Sequence, residues 1–155
     1  KMKKNLYILM VLMSVVFGFT ACSDDDEPIG TQNPETEVAG TYSGTWTKVL
    51  TNSSGEVQST ETANGTITLS ANRQWVVDIT LNEAQPVMTS VMNIIANCSG
   101  TSETGYQISK YIDNPRENYG GVIEDGVLNF GFQTEEKEGR KTYTATYTFE
   151  GVLNN

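Results

Sequence analysis

The segment Lys141 to Phe149, KTYTATYTF, constrains the fold more than any other stretch. Thr142, Thr144, Thr146 and Thr148 fall on one side of an extended chain, and Tyr143, Ala145, Tyr147 and Phe149 on the other. A strict period of two in β-branched and aromatic residues is the pattern of a strand with one face in a core and one in solvent. A helix would scatter both sets around its axis.

The same period recurs along the chain. VLNFGFQT places Leu128, Phe130 and Phe132 together, and QWVVDITL places Trp75, Val77, Ile79 and Leu81 opposite Val76, Asp78 and Thr80. VAGTYSGTWT sets Gly40, Tyr42, Gly44 and Trp46 against Thr41, Ser43, Thr45 and Thr47. Turn chemistry separates these runs: Asp125-Gly126 is a strong hairpin signal, and EEKEG at 135–139 reads as the turn into the last strand. The reading is eight strands, at 38–51, 56–71, 73–82, 87–98, 105–112, 119–124, 126–134 and 141–153. Asn64-Gly65 either bulges or splits the second, and MTSVMNIIA admits a helix as well as a strand. Sequential hairpins among eight strands imply an all-β, up-and-down antiparallel barrel, whose closure removes exposed edges.

The N-terminus carries a different signal. Lys1, Lys3 and Lys4 precede the 14-residue apolar run Leu6 to Phe19, then Thr20, Ala21 and Cys22. This is the layout of a secretory signal, and the apolar part is short for a membrane span. The cysteine after small residues resembles the lipobox of bacterial lipoproteins. That resemblance implies cleavage before Cys22 and acylation of its sulfur and amine, with palmitate as one chain. Two or three chains anchor firmly where one holds marginally. The acidic run Ser23, Asp24, Asp25, Asp26 and Glu27 is similar to the export signal of surface lipoproteins in Bacteroidetes. It implies the outer membrane facing the exterior, with a periplasm-facing anchor as the alternative. Residues 1–21 are thus read as signal peptide, 22–37 as lipidated cysteine and flexible tether, and 38–155 as the barrel domain.

The VAGTYSGTW opening, the strand count and the terminal YTFEGVL resemble the calycin-like, lipocalin-like β-barrel lipoproteins of gut Bacteroidetes. Gly40-Thr41-Tyr42 occupies the place of the lipocalin Gly-x-Trp. The resemblance implies a barrel and leaves the activity open.

The charge excludes some functions. The chain of 155 residues has 10 Lys+Arg against 19 Asp+Glu, a net charge of −9. Such a chain repels nucleic acid. Histidine is absent, which removes His-based nucleophile systems and the commonest zinc ligand. No catalytic set, metal site or cofactor motif emerges, so no enzyme is expected. Cys98 remains without a disulfide partner once Cys22 is acylated.

Tyr42, Trp46, Trp75, Val77, Leu128, Phe130, Tyr143, Tyr147 and Phe149 form the expected barrel interior. They are either plain core or the lining of a pocket for a small apolar or aromatic ligand or a glycan fragment. Gly40, Gly44, Gly131 and Ala145 are the small residues that would leave room for one, although Gly131 is out of phase with Phe130 and marks a bend in the alternative reading. The other reading is a filled barrel whose loops contact a partner protein or a host surface. The Asp113 to Gly121 loop would serve the first reading as a lid. An interior cavity above ~300 Å³ separates the two.

Overall fold

The structure, a computed structural model, describes residues 33–111 and 118–154. Among these, eight antiparallel strands follow in order around one ring: β1 (Gly40–Asn52), β2 (Val57–Arg73), β3 (Val76–Leu81), β4 (Met92–Thr101), β5 (Gly105–Lys110), β6 (Asn118–Glu124), β7 (Val127–Glu138) and β8 (Lys141–Leu153). Each strand pairs with the next, and β1 pairs with β8 to close the ring. This is the up-and-down barrel that the alternating pattern predicts.

The strands are strongly staggered. Paired residues followed around the ring from Thr62 run through Thr47, Thr148, Gly131, Gly120, Ser109, Asn97 and Val76. The path returns to β2 at Arg73, 11 residues beyond its start. Closing a sheet requires such a shear and a tilt of the strands. The stagger explains why β2 has 17 residues while β3 has six. β2 serves β1 along Val57–Leu69 but β3 along Ile67–Arg73 alone. The β1–β2 and β7–β8 hairpins therefore rise beyond the shorter strands at the end of the barrel called upper here.

Alternation sets the core. On β8, Tyr143, Ala145, Tyr147 and Phe149 are buried, and Thr142, Thr144 and Thr148 are exposed. Tyr42, Trp46, Ile67, Leu69, Val77, Ile79, Leu81, Leu128 and Phe130 complete most of the interior. Burying each large apolar side chain is worth about 1.5–3 kcal/mol.

A row of three glycines crosses β2, β1 and β8: Gly65 pairs with Gly44, and Gly44 with Gly151. A Cβ on Gly44 would lie 2.0 Å from the Glu150 carbonyl oxygen and 2.4 Å from Gly151 Cα, so the two backbones approach too closely for any side chain. The Trp46 indole covers Gly65, and the Phe149 ring covers Gly151. Two aromatic rings thus occupy the space that the missing side chains leave.

Local chain packs onto the core toward both ends. At the lower end, α1 (Pro34–Glu37) is a single helical turn begun by a proline, where its missing N–H costs nothing. Pro34, Glu35 and Val38 are buried there, and Tyr42 Oη donates to the Val38 carbonyl at 2.9 Å. Toward the upper end, the 82–91 segment folds inward. Ala84, Val87 and Met88 join the core, Ala84 and Met88 bridge each other, and Asn82 N–H donates to Thr66 O at 3.2 Å.

Several expectations change. Pro34–Glu37 belong to the folded unit rather than the tether. Glu135, Glu136 and Glu138 lie inside β7, and the turn falls at Gly139-Arg140, because β7 continues along β8 past Thr134. Asn64-Gly65 neither bulges nor splits β2, whose irregularities with β1 and β3 lie at Leu50/Thr51 and Ala71/Arg73. The helical option for MTSVMNIIA fails; its second half forms β4 against β3. The signal peptide, Cys22, Ser23 to Glu27, and 112–117 of the lid loop lie outside the described residues.

Candidate functional site: the upper mouth of the barrel

Period two continues past Trp46 into a less apolar sequence. Lys48 and Leu50 follow Tyr42, Gly44 and Trp46 on the inward side of β1. Glu136 follows Phe132 on the inward side of β7, and Tyr143 and Tyr147 lie on that of β8. Because β3 to β6 stop short, these residues line an open half-channel rather than a closed ring.

Lys48 Nζ lies 2.8 Å from Glu136 Oε1 and 3.0 Å from Oε2. Tyr147 Oη donates to Oε1 at 2.8 Å. The ammonium also sits 5.5 Å from the centroid of the Tyr147 ring. On its other side Tyr147 stacks on Phe132, with centroids 4.5 Å apart and planes 4° from parallel. Trp46 meets Phe132 edge-on at 6.1 Å and Phe149 at 5.1 Å. The charged pair thus rests on an aromatic wall continuous with the core.

The electrostatics fix the protonation states. Burial alone would raise the Glu136 carboxyl, but hydrogen bonds from Lys48 and Tyr147 and the lysine charge outweigh it and hold it below the ordinary range. Burial alone would lower Lys48, and its contacts with Glu136 and Tyr147 reverse this. Burial and Glu136 both raise the Tyr147 phenol. At neutral pH the trio is therefore ammonium, carboxylate and phenol, each displaced away from neutrality. A general acid or base works best with its pKa near the operating pH. This trio suits fixed hydrogen bonding rather than proton transfer.

Elsewhere the inward residues pack into one buried cluster. Gly44, Gly40 and Ala145 leave no room: strand β8, the Leu153 side chain and close packing respectively occupy their surroundings. Gly131 falls on the outward phase of β7. Two grooves stand out among the described residues, and both are open to the outside. One, about 520 Å³, runs over the outer face along Ser43, Thr45, Asn64 and Thr66. The other, about 530 Å³, lies between the upper hairpin tips, bordered by Asn52, Gln58, Arg140 and Tyr143.

Of the expected interior set, Tyr42, Trp46, Val77, Leu128, Phe130, Tyr147 and Phe149 are buried in one cluster, and Tyr143 is buried beside the upper groove. Trp75 is a correction. It is 52% exposed at the lower end, because its φ of 64° makes it part of the turn before β3 and breaks the phase with Val77. Its N–H donates to buried Glu35 at 3.0 Å, and its carbonyl accepts from Cys98 N–H at 2.8 Å. Sequence reasoning missed Lys48 and Glu136. The available signal was a charge on the inward phase of β1; Glu136 was hidden in a run read as a turn. Cys98 is buried, and burial first, with Glu35 nearby, pushes its thiol up to about 11.

Compared with known protein families and with curated proteins, the chain matches no family model and no relative. Function has to be argued from the site itself. The geometry places a polar, aromatic-backed mouth above the buried core.

Proposed function

We propose that this protein is a lipid-anchored module of the bacterial outer membrane, facing the exterior, that acts without catalysis by presenting its outer surface and upper mouth to a partner protein or host surface. The observation that supports the contact role is the packed core: Trp46, Phe149, Phe130 and Leu128, with Ala84, Val87 and Met88 of the 82–91 segment, belong to one buried cluster. The anchor rests on the lipobox-like Thr20-Ala21-Cys22 and the acidic run after it. The described chain enters the barrel at the end opposite the mouth. Likeness to the calycin-like lipoproteins of gut Bacteroidetes belongs to the same proposal, with the closed eight-strand ring as its support.

One observation favours a second reading. The Lys48–Glu136–Tyr147 trio beside Phe132 combines an aromatic surface with fixed donors and acceptors, the chemistry that orients a small glycan fragment. In that reading the ligand sits at the mouth, not inside the ring.

Metabolic labelling with palmitate, protease shaving of intact cells and native mass spectrometry of the purified lipoprotein test the proposal together. Labelling lost in Cys22→Ala, removal by external protease, and the mass of the acylated polypeptide with no further molecule bound are expected. An unlabelled chain or a protected one would sink the anchor or its orientation. A co-purifying saccharide whose binding is lost in Glu136→Gln would replace the first reading with the second.

A further inference from the structure

The shear that closes the barrel leaves part of β2 open. β3 pairs with β2 along Ile67–Arg73 alone, so residues 57–66 have β1 on one side and no strand on the other among the described residues. Thr66 O already accepts from Asn82 N–H. At the other end Gln58 is skipped in the register with β1, where Leu50 faces Ser59 and Thr51 faces Val57. Between these limits lies a regular, unpaired edge, residues 59–65, with the sequence STETANG.

Backbone direction alternates along an antiparallel strand. Thr66 O points away from β1 toward Asn82, so the N–H and C=O groups of Asn64, Thr62 and Thr60 point the same way, into the open. All three residues are exposed. Natural proteins usually blunt such edges with proline, lysine or a covering segment. This edge holds no proline or lysine, and its one charge, Glu61, lies on the inward phase opposite Lys48.

We infer that the free β2 edge, residues 59–65, pairs antiparallel with the same edge of a second copy of this chain, joining two barrels through one continuous sheet. The midpoint of the segment is Thr62. A twofold axis there sets Thr62 against its own image, Thr60 against Asn64, Glu61 against Ala63 and Ser59 against Gly65. Every outward-pointing backbone group then meets one of the complementary kind. The outer face gains a Thr–Thr and two Thr–Asn pairs, which favour cross-strand hydrogen bonding. No like charges oppose each other. Moving the axis to Glu61 would set two carboxylates face to face, which is destabilising. The self-pairing register is thus selected by the sequence. The pairing does not depend on the lipid anchor or on any ligand at the mouth.

The test is residue-specific crosslinking of the full chain in intact cells. Hydrogen-bonded antiparallel partners have Cα atoms about 5.5 Å apart, within disulfide range. Thr62→Cys is expected to give a disulfide-linked homodimer on mild oxidation, and Thr148→Cys, on the outer face of paired β8, is not. Adding Thr60→Pro to Thr62→Cys removes an N–H that β1 does not use and should cut crosslinking at least about tenfold. Equal crosslinking from Thr62→Cys and Thr148→Cys, or none from either, overturns the inference. So does a Thr62→Cys adduct with a different protein and no homodimer. Should the proline variant misfold, amide exchange of wild-type chain decides: protection of Thr60, Thr62 and Asn64 should rise with concentration, and concentration-independent rates would refute self-pairing.

Discussion

Lys48 and Glu136 lie 88 positions apart in sequence and meet through both carboxylate oxygens, at 2.8 and 3.0 Å, with Tyr147 completing the contact. Their side chains are 17% and 36% exposed, so water screens part of the attraction. Lys48→Met should therefore destabilise by only about 1 kcal/mol. Glu136→Gln combined with it should cost less than the two changes summed, because the survivor of a broken pair no longer remains unpaired. Urea denaturation of the three variants at neutral pH measures this.

The pair also sets a pH dependence. Glu136 has a folded pKa below its unfolded value, so its contribution is fully present above about 4.3 and is lost as pH falls through the lower folded value. Lys48 is raised, so its contribution holds below about 10.4 and is lost as pH rises past that. Thermal melts from pH 3 to 7 should show a shallower acid decline for Glu136→Gln than for wild type. Parallel declines would contradict the ionic role.

Gly44 is where two backbones need the absence of a side chain. Gly44→Ala would drive a methyl to within 2.0 Å of a carbonyl oxygen and 2.4 Å of a Cα, neither of which can rotate away. A loss of about 3 kcal/mol or more, or no folded product, is expected. Gly55→Ala meets nothing within 4 Å but has a φ of +78°, so a loss of about 1 kcal/mol is expected in the same denaturation assay.

Trp46 is fully buried, and its indole N–H has no hydrogen-bond partner among the described residues. An unmet buried donor costs about 1–3 kcal/mol. Trp46→Phe removes that donor and keeps most of the contact with Phe132 and Phe149. It should be distinctly milder than Trp46→Ala, for which about 3–5 kcal/mol is expected. Equal losses in chemical denaturation would mean that the donor is satisfied.

Trp75 and Cys98 form an opposite pair of environments joined by one backbone hydrogen bond. The indole of Trp75 should dominate acrylamide quenching of native fluorescence, and Trp75→Gly should abolish most of it. Gly relieves the positive φ, so that variant should be no less stable than wild type. Cys98, buried and raised to about 11, should resist iodoacetamide at pH 8 until denaturant is added. Peptide mapping by mass spectrometry reads both cysteines separately.

The sequence by itself determined the strands and their faces. A side-chain period of two is a local property of extended backbone, so Tyr143, Ala145, Tyr147 and Phe149 could be assigned to one inward face from a single strand, as could Tyr42 with Trp46. The border at Cys22, where an apolar run meets an acidic one, is likewise read without a fold. Trp75 failed that logic because a single positive φ reverses the phase, and nothing in a list of residues announces one. Tertiary structure decided the rest. The stagger around the ring is a sum over eight pairings, and it brings Glu136 to Lys48, leaves residues 59–65 of β2 with a strand on one side alone among the described residues, and lets Ala84, Val87 and Met88 join the core. Each of those outcomes depends on distances between strands remote in sequence, which local alternation does not encode.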